Sequence, residues 1–507
     1  MAQTIHIVWF KRDLRITDHG PLHKAAESGL PVLPLYIVEP AVIQAPTFDP
    51  AHWTFIRQSL IELRDSLDRL GQPLVVKVGH AVPVLHELSQ QFAVEKIWAH
   101  QETTNLAGFK RDDEVRAWAA AQSIPFDEMP SNGVVRGLGL ERRDAWKSIR
   151  EDRMHKLPWP VPEEIRPIVG QTSFDTGHIP DHRELGLEQN ERELQPAGEK
   201  EGDKILQSFL LWRGSKYIQE AASPLTAPAA SSRISPHLAY GTLSVRTAVR
   251  EVRQQLRNFR HMSPQEKRQR GKLWVGSLRT FESRLLVRDE LMQQVEWDPS
   301  MEIANQVEGF NGLRPDGGAG WPSALLEAWQ SGRTGYPLVD ASMRFLNHSG
   351  WLNYRMRALL VSFAANHLWL DWRGFSPHLA QAFLDFEPGI HYTQLQMLSG
   401  TSIKQGFRVF NPIAEAKQQD PQGEFIRRWL PELAGVPKAF IHQPELMSAE
   451  QQAQAGCIIG RDYPAPLVEH EEAAANAKAQ VQAIRSPKVK AVDSGLSLPD
   501  GKSKDHG

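Results

Sequence analysis

Short apolar runs alternate with amphipathic stretches over the first quarter of the chain. Residues 5–10, 32–38, 74–78 and 96–99 are rich in Val, Ile and Leu and read as four strands. Between the second and third, Ile56, Leu60, Leu63, Leu67 and Leu70 recur at spacings of three and four. That period places them on one face of a helix over residues 53–70. A further helix is expected over 109–121. Strands separated by amphipathic helices form βαβ units, so residues 1–130 are expected to be an α/β domain with a parallel sheet. No G-x-G-x-x-G follows the first strand, so the usual dinucleotide fingerprint is absent.

Residues 131–200 break this rhythm. Pro158, Pro160, Pro162, Pro167 and Pro180 punctuate a charged stretch with few periodic apolar positions. It reads as a long surface connector with helix only over 142–155. From 201 to 485 strand signals fade. Residues 205–211, 243–256, 273–291, 323–330, 338–346, 353–368 and 379–384 suit helices, which predicts a larger all-α domain. Residues 486–507 are polar and read as a disordered tail.

The 507 residues are enough for two or three domains. With 41% hydrophobic and 23% charged residues, the composition is that of an ordinary globular protein. A net charge of −2 excludes a polycation, so any nucleic-acid binding must come from a local basic patch. Cys457 is the sole cysteine, which excludes an intramolecular disulfide, a Cys-rich zinc site and a cysteine-ligated iron–sulfur cluster. A cytoplasmic location is expected. The apolar run 30–38 contains two prolines and is too short to span a bilayer.

Several segments carry candidate chemistry. Ser231, Ser232, Arg233, Ile234 and Ser235 place three hydroxyls and a cation before a helix start, which suits a phosphate or a plain helix cap. Gly332-Arg333-Thr334-Gly335-Tyr336-Pro337 is a turn opening a helix. Arg355 and Arg357 lie two apart on a helix and so point in different directions. Asp385 and Glu387 could pair with Arg357, at a site or simply at the surface. Trp outnumbers Tyr by 15 to 7. Such rings pack cores, stack on bases or pass electrons. His391 could be a packed core histidine or a proton donor.

The order of these motifs resembles the photolyase/cryptochrome family. The opening Val8-Trp9-Phe10-Lys11-Arg12-Asp13-Leu14-Arg15, the 231–235 loop, the 332–340 turn, the 350–357 run, Arg408-Val409-Phe410-Asn411-Pro412 and the segment 423–432 match it in sequence. The resemblance covers residues 4–480. It implies FAD inside the helical domain, with a second antenna pigment in the α/β domain in some members. By motif position, Tyr217 and residues 231–235 would hold the FAD phosphates and ribityl chain. Trp274, Trp351, Arg357, Asp385, Glu387 and His391 would line the flavin and adenine, with His391 facing the central ring nitrogen. Arg357, Asp385 and His391 would thus be the catalytic set. Arg355, Tyr354, Met397 and Arg408 would meet a flipped lesion in UV-damaged DNA. The expected protein is a monomer with no membrane span.

The departures are as informative. Ser277, Thr280, Phe281 and Met397 stand where common photolyases have Glu, a stacking Trp, Arg and a second Trp. Tyr354 and Ala358 replace the paired histidines of (6-4) photolyases. These features resemble a divergent bacterial branch without an iron–sulfur cluster. Light-driven splitting of cyclobutane pyrimidine dimers is the activity implied, against a cryptochrome-type photoreceptor or a (6-4) photolyase. The family's tryptophan chain is also interrupted. Leu395 stands at its flavin-proximal position, Trp372 at the middle one, and Ala319 at the outer one with Trp321 two residues away. The expectation is a rerouted chain that starts at Trp351 or Tyr392, with Trp369 or Trp372 as relays, against poor photoreduction that relies on cellular reductants.

Overall fold

The computed structural model describes residues 2–168, 175–315, 322–402 and 407–485. Five strands form one parallel sheet: β1 (Thr4–Phe10), β2 (Val32–Val38), β3 (Val75–Val78), β4 (Ala93–His100) and β5 (Phe126–Met129). Their order is β3-β2-β1-β4-β5. Six of the seven β1 residues are buried, as expected for a strand covered on both faces. Ile5, Ile7 and Trp9 enter the core on one face, and Val8 and Phe10 the core on the other. The strand's period of two fixes that division. Helix α1 (Pro50–Arg69), capped by a reciprocal Asp49–His52 box, covers the Val8 side. Val115 of α2 (Leu106–Ala121) packs on the other. The fifth strand, sequence FDEM, was not expected, because its half-buried acidic residues carry no strand signal.

The next stretch holds a 3-10 turn (Leu140–Ala145) and α3 (Trp146–His155). Beyond it the chain has no regular element up to Gly198 among the described residues. It does seal the sheet. The Val76 amide donates to Thr176 O at 2.8 Å along the β3 edge, and Ile165 N–H to Leu70 O at 2.6 Å. A covered edge offers no strand for a second copy to pair with.

The rest is helical. In chain order come α4 (Glu199–Leu211), α5 (Val245–His261), α6 (Pro264–Arg270), α7 (Trp274–Trp297), α8 (Pro337–Ser349), α9 (Tyr354–Asn366), α10 (Trp372–Ala382) and α11 (Pro388–Ser399). Ser323–Gln330 sits before α8, and four more helices, ending with His470–Arg485, follow α11. The helix expected over 379–384 is displaced. It starts at Trp372 and ends before Phe383, which is extended, so that 383–387 forms a loop into the site. Residues 486–507, expected to be disordered, lie outside the described residues, as do Ala319 and Trp321.

The opening motif joins the two parts. Arg12 donates to Ala239 O and Phe386 O, both at 2.8 Å, and Arg15 to Gly241 O at 2.8 Å. Gly241 has φ +68°, and a Cβ there would stand 2.1 Å from Arg12 O. Only glycine permits that approach. Tyr240 and Leu384 of the helical part belong to the same apolar cluster as Val8 and Phe10.

Candidate functional site

Three separate motifs converge: the 231–235 loop, the start of α9 and the 383–387 loop that leads into α11. Arg357, in the first turn of α9, donates to Leu352 O at 2.7 Å and to both Asp385 oxygens at 2.9 and 2.8 Å. Its guanidinium lies 4.1 Å from the Phe383 ring centroid. Burial pushes the Asp385 carboxyl up, but attraction to Arg357 and hydrogen bonds from Arg357 and Ser235 outweigh it and hold the pKa below the ordinary value. The 231–235 loop therefore reaches the same carboxylate as α9.

Arg233 is the second cation here. Its backbone is left-handed, φ +63°, which costs an arginine about 1–2 kcal/mol. The strain seats its guanidinium 4.1 Å from the Trp351 ring centroid, in a cation–π contact. Its polar partner is Gln195 Oε1 at 3.3–3.4 Å, and it has no carboxylate in hydrogen-bonding range among the described residues. Burial lowers its pKa to about 10. A half-buried cation with no carboxylate in direct contact can take an anion at this position. The Ser231 and Ser232 hydroxyls have no partner among the described residues. Arg213 instead holds the loop from behind through Ser231 O and Ser232 O.

Glu387 lies across the site. Burial raises its pKa, although Arg12 at 3.6 Å and Arg288 at 3.4 Å oppose the shift. Its Oε1 is buried without a hydrogen-bond partner. Such an orphan needs a donor the chain does not supply. An open recess lies beside Arg357, Asp385, Glu387 and His391, with Leu379 and Leu395 as apolar wall. The residues thus fit a large, partly anionic, partly aromatic cofactor: cation, free hydroxyls, an orphan acceptor and an apolar recess.

His391 is buried on α11, and burial lowers its pKa to about 3, so the ring is neutral. Its Nε2 meets Ser376 Oγ at 2.9 Å and Ser376 O at 3.2 Å. A carbonyl only accepts, so Nε2 carries the proton and Nδ1 is the acceptor. This ring is not poised to donate from Nδ1.

The remaining expected residues divide. Arg355 and Arg408 flank one ring, Phe410, at 5.2 and 5.3 Å. Arg408 is exposed. Arg355, expected as a free phosphate contact, is instead held by both Glu415 oxygens at 2.7 and 2.8 Å, which neutralises it. Tyr354 is 43% exposed, with Arg284 6.0 Å from its ring, and Arg284 also bonds Tyr217. Met397 is half-buried on α11. Trp274 does not face the recess. It is fully buried, its indole N–H donating to Leu210 O at 3.2 Å and its ring 5.4 Å from Phe259, so it is committed to helix packing. Ile234 is likewise a core residue of that cluster. Ser277 is buried too, its hydroxyl donating to Ser215 O and accepting from Ile218 N.

The aromatic rings form two groups. Trp372 lies 6.4 Å from Tyr392, which lies 5.2 Å from His391 and 6.5 Å from Phe386. This path leads into the recess. Trp351 is not on this path: its ring carries the Arg233 guanidinium at 4.1 Å and meets Phe345 at 6.3 Å. Trp369 is clamped under Arg314 at 4.5 Å. The residues that sequence reasoning missed are Gln195, Arg12 and Arg288. The first lies in the unstructured connector. The other two lacked any visible carboxylate partner.

A family model described as the FAD-binding domain of DNA photolyase matches residues 281–483, and one for DNA photolyase matches residues 6–141. A deoxyribodipyrimidine photo-lyase of Escherichia coli is 30% identical over 518 residues, spanning 96% of this chain and all of that protein. The chain belongs to the DNA photolyase/cryptochrome family. A cryptochrome DASH of Synechocystis is 29% identical over 511 residues, covering 94% of this chain and 98% of that one. The crystal structure of a Synechocystis cryptochrome superimposes with a TM-score of 0.81 at 26% identity, over 94% of this chain and 99% of that one. The helical part is thus an FAD-binding domain of the family, and the α/β part its photolyase domain. Relatives under both names match about equally well. No helix among the described residues is long and apolar enough to cross a membrane.

Proposed function

We propose that this family member is a light-driven DNA-repair enzyme that splits cyclobutane pyrimidine dimers. FAD, when bound, supplies the photochemical electron, and the chain supplies binding and electrostatics. The observation that carries the reading is the convergence of Arg233, Ser235 and Arg357 on one carboxylate, Asp385, which lines the recess with Arg357. Arg233 with the Ser231 and Ser232 hydroxyls neutralises the cofactor's phosphates, and Tyr217 closes that side with Arg284. Arg357, fixed by Asp385, would hold positive charge beside a bound flavin, and Glu387 Oε1 would be free to accept a hydrogen bond from the cofactor. His391 offers Nδ1 as an acceptor and Nε2 to Ser376. Arg408 takes a phosphate beside the lesion, and Tyr354 stacks where Thr280 and Met397 provide no ring. Flipping a damaged base into the recess costs a few kcal/mol. A second pigment would sit in the open recess at the switch point between β1 and β4, lined by Lys11, Arg12, His100 and Glu102 on one side and by Gly241, Ser244 and Arg288 on the other. The protein acts as a monomer in the cytoplasm.

One observation favours a cryptochrome-type photoreceptor instead: Arg355 is spent on Glu415, so the rim offers less charge to DNA. Illumination of the FAD-loaded protein with oligonucleotides bearing a defined cyclobutane dimer or (6-4) lesion separates the readings. Dimer splitting supports repair, (6-4) reversal reassigns the lesion, and neither leaves the photoreceptor.

A further inference from the structure

The chain is slightly acidic overall, yet residues 246–272 hold nine Lys and Arg against two acidic residues, Glu251 and Glu266. Arg246, Arg250, Arg253, Arg257 and Arg260 recur at spacings of four and three, on one flank of α5. The domain-facing end of this stripe is neutralised. Arg246 pairs with Asp18, and Arg253 with Glu151 and Glu282. The far end is not. Arg257, Arg260, Arg268, Lys272 and Arg279 are exposed and have no carboxylate partner among the described residues.

The helices hold this cluster together. Ser263 and Glu266 form a reciprocal capping box that starts α6 directly after α5. Lys267 folds back onto Arg260 O at 3.1 Å and the Phe259 ring at 5.7 Å. Arg270 donates to Leu211 O, next to Trp212, which is 61% exposed. The patch is thus a built helical hairpin with a solvent-facing aromatic ring beside it.

We infer that the α5–α6 hairpin is a second, lesion-independent contact surface for the phosphate backbone of duplex DNA, lying along the duplex from the recess. Its position follows from α7. Arg284 stands at the Tyr354 rim, and Trp274, which opens α7 beside the hairpin, is ten residues earlier. At 1.5 Å per residue that is about 15 Å. With about 3.4 Å per base pair, the hairpin meets phosphates about four to five base pairs from the lesion. This placement rests on the repair reading, whereas affinity for phosphate rests on the charge alone. Arg257, Arg260 and Arg268 on the hairpin, with Lys272 just after it and Arg279 on α7, give sequence-independent binding that falls with salt.

The test uses full-length, FAD-loaded protein and the variant Arg257→Ala/Arg260→Ala/Arg268→Ala/Lys272→Ala. All four side chains are exposed and distant from the recess, and retained flavin absorbance reports an intact fold. Binding to an undamaged 30-base-pair duplex is titrated over a series of salt concentrations. The variant is expected to bind at least roughly tenfold more weakly at low salt, with a log–log salt slope shallower by about two to four units. Dimer splitting in a five-nucleotide single strand, too short to reach the hairpin, should be unchanged. Equal duplex affinity and slope in variant and wild type would overturn the inference, even if repair proceeds. Binding of wild type, but not variant, to phosphatidylserine vesicles with no difference on duplex would overturn it in favour of a membrane surface. Loss of short-strand splitting in the variant would overturn the inference, because the substitutions would then act on the recess, whereas absence of splitting in the wild type bears on the repair reading alone.

Discussion

Replacing Asp385 by Asn should damage the site in a way that can be measured. Asn keeps the volume and one acceptor but removes the charge opposite Arg357. The wild-type pair is bidentate, with the carboxylate 5% and the guanidinium 20% exposed. Arg357 stays in place through Leu352 O and the Phe383 ring, so it is left as a buried cation with no counter-ion. Breaking a buried pair from one side costs about 3–5 kcal/mol, and the partial opening of Arg357 puts this case near 3. A helical unit of about 280 residues has an unfolding entropy of about 0.6 kcal/mol per kelvin, so the midpoint should fall by about 5 °C. The assay is thermal unfolding at neutral pH with flavin removed, repeated with added FAD. A double-mutant cycle with Arg357→Met isolates the pair. The double variant should recover much of the loss, because it removes the stranded cation. A change below about 1 kcal/mol in Asp385→Asn, or no recovery in the double variant, would mean that solvent screens the pair and that it does not organise the site.

Other consequences are testable together. Arg233→Ala with Ser235→Ala should weaken FAD retention at least tenfold in equilibrium dialysis; unchanged retention removes the loop from the cofactor site. Arg408→Ala should reduce the salt slope of lesion binding by about one unit, while Arg355→Ala should change it less, because Glu415 already neutralises Arg355. Photoreduction with a thiol donor should slow in Tyr392→Phe and Trp372→Phe but not in Trp369→Phe; equal rates in all three would refute the Trp372–Tyr392 path. His52, His100, His237, His367, His378 and His391 all have pKa values lowered to between about 3 and about 4 by burial. Each is neutral when folded and takes up a proton on unfolding below about pH 6.5, so stability should fall from that pH downward. The slope is up to about 1.4 kcal/mol per pH unit for each histidine. A flat stability between pH 6.5 and 5 in urea titrations would contradict their burial.

The parallel sheet was legible because β1 and β2 are short, apolar and separated by the periodic face of α1. The fifth strand was not, since Asp127 and Glu128 are held by Lys96 and Arg116, partners invisible along the chain. Helix α11 carries His391 yet shows no amphipathic period, because Tyr392, Thr393, Leu395 and Gln396 are buried on several sides at once. The pairing of Arg357 with Asp385 could be read from motif order. The capture of Arg355 by Glu415 could not, because it depends on how Pro412–Gln419 folds across α9. Trp274 shows the converse error: a tryptophan at a motif position is given to the helix core when Leu210 O and Phe259 receive it.

The central claim is tested most directly by blue-light illumination of the purified, FAD-loaded protein with an oligonucleotide carrying one cyclobutane thymine dimer, following dimer loss by chromatography. The account predicts restoration of two thymines in the light and none in the dark. Intact dimers after illumination, in protein whose flavin is fully photoreduced, would contradict it.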